Sequence, residues 1–188
     1  MSGKRLELLI EAVPGLSRVG ILWDATNEGS KIRFKEYQAA ARALKIQLQS
    51  LDVRGPKPDL EGAFQSAKKG RAGALIVIGN ALLNRQRKQI VNYAIQNRLP
   101  SMYDSSLWIE PGGLISYSSN DAESYRRAAW TVDKILKGTK PSEIPVEQPT
   151  RLELVINLKT AKQIGVTMPP NFLARSDRVI RQGVRGEQ

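Results

Sequence analysis

Residues 18–24 read RVGILWD and residues 73–80 read GALIVIGN; each is a short, unbroken apolar run that stops at an acid or a Gly-Asn turn. Runs of this length and character suit strands buried on both faces of a parallel sheet. Between them lie two helical patterns. Segment 27–45, NEGSKIRFKEYQAAARALK, spaces Phe34, Tyr37, Ala41 and Leu44 by three or four, with Asn27 or Ser30 to cap it. Segment 59–70, DLEGAFQSAKKG, does the same with Leu60, Ala63, Phe64 and Ala67, and IQLQSLDV at 46–53 alternates as a strand with one wetter face.

The rhythm continues through one helix over 83–98, LNRQRKQIVNYAIQNR, into a fourth strand in LPSMYDSS at 99–106. Strands joined by helical crossovers pair in parallel, and right-handed crossovers cover both faces. The expected fold is α/β, an open doubly wound parallel sheet. After Pro111 a short strand (GGLISYSSN), a patterned helix capped by Asn120 or Asp121, and a proline-rich connector (139–150) look like interdomain crossings. The helix over 125–136 carries an apolar stripe that needs a partner surface. Residues 151–165 combine an alternating strand with a helix, and PPNFLARSDRVI at 169–180 is expected to form a last helix.

The chain has 188 residues, 41% hydrophobic and 25% charged, which suits a folded domain with a real core. It contains neither cysteine nor histidine. Disulfides, thiolate nucleophiles, the commonest general base and the commonest metal ligands are therefore missing, and neither a catalytic constellation nor a metal site is expected. Asp24 and Asp104 form at most a carboxylate pair with little to lean on. The first strand is followed by no glycine-rich turn, and the chain holds no phosphate loop, so no cofactor is expected. A formal net charge of +11 raises nucleic acid as a partner, but the cations are spread along the chain on expected solvent faces, without aromatic interleaving. Nucleic acid is the weaker reading. No stretch approaches the roughly 20 apolar residues that span a bilayer, and residues 1–15 lack the apolar core of a signal peptide, so the chain as written reads as cytoplasmic.

Ligands of open parallel sheets lie in the crevice at the carboxyl ends of the strands. The loops there hold Asp24 and Asn27 after the first strand, Gly79 and Asn80 after the third, and Tyr103, Asp104, Ser105 and Ser106 after the fourth. Each also has a plainer reading. Asp24 and Asn27 cap the next helix, Gly79-Asn80 is a turn, Tyr103 is a half-buried strand residue, and Asp104 caps a short helix. An aromatic beside an acid suits an amine-bearing ligand, which favours contact for Tyr103 and Asp104. Trp108 is expected in the core or a domain seam.

Segments 4–22 (KRLELLIEAVPGLSRVGIL), 39–44 (AAARAL), 111–141 (PGGLISYSSNDAESYRRAAWTVDKILKGTKP) and 144–180 (IPVEQPTRLELVINLKTAKQIGVTMPPNFLARSDRVI) resemble the tryptophan/tyrosine-type substrate-binding proteins of ABC transporters. The last of these is long and specific. The resemblance implies a type I periplasmic binding protein, two α/β lobes closing over a small solute such as an amino acid and passing it to an ABC permease. It also implies a periplasmic or membrane-associated setting. On that reading 4–112 and 150–180 form the second lobe, 113–149 crosses to a first lobe lying outside this sequence, and 181–188 is a flexible tail. The resemblance places Asp24, Asn27, Asn80, Tyr103 and Asp104 at the ligand, with Tyr117 and Asn120 near the hinge. Relatives often carry asparagine and proline in the first loop where Trp23-Asp24-Ala25 stands, which leaves the solute open. Alternatives are a ligand-sensing or oligomerising module that dimerises through the helix over 125–136, and, less favoured, a basic nucleic-acid-binding protein.

Overall fold

The computed structural model describes residues 1–145 and 151–181. Its core is a seven-stranded sheet in the order β2 (Gln47–Val53), β1 (Arg18–Asp24), β3 (Ala74–Val77), β4 (Ser101–Tyr103), β5 (Ile115–Ser119), β6 (Leu152–Asn157), β7 (Arg178–Ile180). Strands β2 through β5 run parallel, β6 runs antiparallel to β5, and β7 is parallel to β6. This is the mostly parallel α/β sheet that the apolar runs predict.

Alternating side chains of the central strands feed two separate cores. Val19, Ile21, Ile76, Met102 and Ile115 pack under α1 (Ser2–Ala12), α2 (Glu28–Ala43), α7 (Leu158–Ile164) and α8 (Pro170–Ala174). Leu22, Leu75 and Val77 point to the other face, under α3 (Leu60–Lys69) and α5 (Arg87–Gln96). All four residues of β3 are buried, so truncating any of its large side chains to alanine should cost about 2–5 kcal/mol.

Three expectations about the elements are corrected. The single helix expected over 83–98 breaks at Gln86, whose amide reaches back to Leu83 O in a tight i−3 bond, giving α4 (Ala81–Arg85) and then α5. The segment expected to leave this lobe at residue 113 first supplies β5, hydrogen-bonded to β4 on one side and β6 on the other; the chain leaves the sheet only with α6 (Asp121–Leu136). The last helix stops at Ala174. There Asp177 exchanges bonds with Leu154, its amide to Leu154 O (3.0 Å) and its Oδ2 from Leu154 N (2.8 Å), and the chain turns into β7. The expected return through VEQPT (146–150) and the tail beyond residue 181 lie outside the described residues.

Helix α6 is amphipathic but stands clear of both cores. Tyr125, Trp130, Val132, Ile135 and Leu136 are exposed, Leu136 at 81%.

Candidate functional site

The parallel order of β1, β3, β4 and β5 brings their carboxyl ends to one edge, where the helices that follow begin. Asp24 ends β1 and is 5% exposed. Its Oδ1 accepts from Thr26 N (2.9 Å) and Thr26 Oγ1 (2.6 Å), and its Oδ2 accepts from Asn80 Nδ2 (2.7 Å). Burial alone would raise the Asp24 pKa. The hydrogen bonds from Thr26 and Asn80 outweigh it and hold the carboxyl below its ordinary range, so it is an anion at neutral pH.

Asn80 serves two neighbours at once, because its Oδ1 also accepts from Leu83 N (2.9 Å) and caps α4. The ends of β1 and β3 are thereby tied side chain to side chain. Asn27 caps α2, taking Ser30 N at 2.8 Å, and its side chain faces solvent. Both asparagines thus cap helices that begin at the carboxyl edge of the sheet.

Asp104 does not cap the short 3-10 helix Ser106–Trp108; Ser105 does, accepting from Leu107 N. Asp104 Oδ2 instead accepts from Arg33 Nη1 (2.8 Å) and Gly79 N (3.0 Å), and Arg33 Nη2 donates to Gly79 O (2.6 Å). A Cβ on Gly79 would stand 2.5 Å from Asp104 Oδ1, so glycine is what allows this approach. The cation that Asp104 faces is thus already in the protein, which removes the simplest version of an acid waiting for a ligand amine.

Tyr103 is corrected outright. It is fully buried in the core, stacked on Trp108 with ring centroids 4.9 Å apart, and burial pushes its phenol up. Trp108 is in the core as one of its two readings expected. Tyr117 is half-buried, packed against the first core, and its carbonyl accepts from Arg5 Nε (2.8 Å). Asn120 caps α6 and donates to Glu153 Oε1 (2.6 Å), linking β5 to β6 at the same edge.

Arg33 is the residue that the sequence reading passed over as one more solvent-facing cation. A signal is present: it stands one helical turn before buried Tyr37, on the flank of the apolar stripe. The assembled edge presents Asp24, Asn80, Asp104, Arg33 and the Gly79 backbone, held by one another. Such a set carries hydrogen-bond donors and acceptors of both charges along one edge. Among the described residues no three His, Cys, Asp or Glu side chains gather as a metal site.

A model of the ABC transporter substrate-binding protein family matches residues 2–180. The chain belongs to this family. Its fold is shared with a conserved domain protein from Vibrio cholerae (TM-score 0.86, 20% identity, 95% of this chain and 60% of that one). It is also similar to an ABC domain in complex with L-Trp from Streptococcus pneumonia (TM-score 0.84, 21% identity, the same 95% and 60%). A third likeness is the ligand-free, open substrate-binding protein with adhesive properties from Clostridium difficile (TM-score 0.70, 19% identity, 96% and 59%). This substrate-binding family member therefore spans about 60% of the length of these solved structures. A comparison with curated proteins finds no significant match.

Proposed function

We propose that this chain is the solute-recognising lobe of an ABC uptake system, binding a small solute such as an amino acid at the carboxyl edge of its sheet and serving a membrane permease. The observation that carries this reading is the pair of links Asn80–Asp24 and Arg33–Asp104–Gly79, which set polar groups from β1, α2 and the ends of β3 and β4 along one edge. Family membership and the L-Trp complex of a relative in fold support the choice of ligand class. The proposed role is binding, outside the cytoplasmic membrane, with Asp24, Asn80 and Asp104 marking one wall of a cleft. Asn27 and Asn120 stand at its margins, and Tyr117 lies beside the hinge. The second wall is proposed to come from the part of the matched structures that this chain does not cover.

Isothermal titration with aromatic and branched amino acids and a wider panel of small metabolites tests it. Saturable heat is expected with at least one member, weakened about tenfold, or about 1.4 kcal/mol, by Asn80→Ala. Silence across the whole panel, both for this chain and for a form joined to the proposed second wall, contradicts it. A second reading, a ligand-sensing module that dimerises, is favoured by one feature, the exposed apolar stripe of α6.

A further inference from the structure

In a parallel sheet with helical crossovers, every crossover helix ends at the rim where the next strand begins, opposite the ligand edge. Cations that are dispersed in the sequence are gathered at this rim. Lys45 precedes β2, Arg18 opens β1, Arg71 precedes β3 and Arg98 precedes β4. In the sheet order β2-β1-β3-β4 these form a row, one cation at the entry of each strand, over about 15 Å at an interstrand spacing of about 4.8 Å. Arg42, Lys68 and Lys69 in the last turns of α2 and α3 add to it.

The charges of this row are not neutralised by the protein. Among the described residues none of the seven has an acidic partner; Arg18 spends its guanidinium on Gln47 Oε1 and the Gly70 carbonyl. Segments 14–18, 40–47, 66–73 and 95–100 contain no Asp or Glu. The one acid near the end of α1, Glu11, is held by Arg175 at 2.6 Å. Cations at helix carboxyl ends are ordinarily explained by the helix dipole. That explanation does not cover the backbone: Lys45, Arg71 and Arg98 are the only non-glycine residues with positive φ among the described residues, at 55°, 55° and 51°. Glycine or asparagine would take that conformation at less cost. At all three positions a long, exposed cation stands instead.

We infer that this rim is a docking surface for an anionic lipid membrane. Lys45, Arg71 and Arg98 are exposed and Arg18 is half-buried between them, and such a row matches a delocalised field of headgroups better than a shaped ligand. A recess of about 270 Å³ between the ends of α3 and α5, lined by Lys68, Ala72, Gln96, Asn97, Arg98 and Leu99, is of a size for one headgroup. Single-stranded nucleic acid fits less well, because the four segments hold no Phe, Tyr or Trp on which a base would stack. Docked by this rim, the protein turns its ligand edge away from the bilayer surface it rests on.

The test is cosedimentation of the full chain with vesicles of phosphatidylglycerol and phosphatidylcholine, against vesicles of phosphatidylcholine alone. Binding is expected to the first only and to fade as salt rises. Each cation near an anionic surface contributes about fivefold in partitioning, so the triple variant K45N/R71N/R98N should bind about 100-fold more weakly. Asparagine suits the left-handed backbone, so this variant keeps the fold, which circular dichroism and thermal melting check. A control triple of equal charge change elsewhere, K35N/K88N/K140N, should bind nearly as the parent does. Equal losses in the two triples, absence of binding to the anionic vesicles, or tighter capture by duplex DNA than by vesicles would overturn the inference.

Discussion

Arg33 and Asp104, 71 residues apart in the chain, meet at 2.8 Å across the carboxyl edge of the sheet, and the same guanidinium reaches the Gly79 carbonyl at 2.6 Å. One side chain from α2 thereby fixes the ends of β3 and β4. Asp104→Ala leaves both Arg33 and the Gly79 amide without this partner. Removing a charged hydrogen-bond partner costs about 1–3 kcal/mol, and the lower half is expected because Arg33 is a third exposed and water replaces part of the loss. Urea denaturation reads it; Asp104→Asn, which keeps the shape, should cost less.

Two glycines separate a flexible clash from a rigid one. At Gly79 an added Cβ meets the Asp104 carboxylate, which can swing away, so Gly79→Ala should mainly disrupt the crevice and weaken solute binding. At Gly113 the added Cβ falls 2.4 Å from the Trp108 carbonyl oxygen, a backbone atom bonded in turn to Gly113 N. Overpacking against backbone should bring Gly113→Ala to about 3 kcal/mol of destabilisation, measured by thermal or urea unfolding. Equal, small effects for the two would show that the turn yields.

The lowered pKa of Asp24 has a definite sign in stability. Its folded value lies below the unfolded value of about 3.9. The stabilisation is therefore fully present above about pH 4 to 5 and lost as pH falls through the folded value. The stability gap between the protein and Asp24→Asn should be widest near neutral pH and narrow as the solution is acidified. A gap that widens in acid would contradict the assignment of the Thr26 and Asn80 bonds as the dominant influence.

Helix α6 places Tyr125, at 73% exposure, with Trp130, Val132, Ile135 and Leu136 in contact with water. Tyr125, Val132, Ile135 and Leu136 share one side of the helix, whereas Trp130 lies on the other, under Lys134 at 4.0 Å, and an exposed apolar face of the first kind drives association. Light scattering should show mass rising with concentration, and Tyr125→Gln combined with Leu136→Gln should suppress the rise. A strict monomer at all concentrations would show that the stripe is tolerated uncovered.

The central strands were legible because burial on both faces writes them as apolar runs; RVGILWD and GALIVIGN led directly to β1 and β3. Where a strand's assignment depends on its partner, local pattern was insufficient. GGLISYSSN read as a strand, yet only the ladders to β4 and β6 place it in this sheet. RVI has the local pattern of a helix end, and only the pairing of Asp177 with Leu154 makes it a strand. The crevice loops were found through topology, and Asp24, Asn80 and Asp104 converge there. Strand alternation puts the Tyr103 ring inward, under Trp108, whereas its proximity in sequence to Asp104 points to the edge. Arg33 and the basic rim were missed for one shared reason: each is a relationship between elements, invisible along the chain until the crossovers stack.

The most direct measurement of the central claim is backbone amide NMR of the protein during titration with the panel solute that gives heat. Shifts are predicted to concentrate at residues 24–27, 33, 79–80, 104–106 and 117–120, with the opposite rim around Lys45, Arg71 and Arg98 unmoved. Saturable shifts centred on that rim or scattered over the surface, with the Asp24, Asn80 and Asp104 amides unchanged, would contradict it.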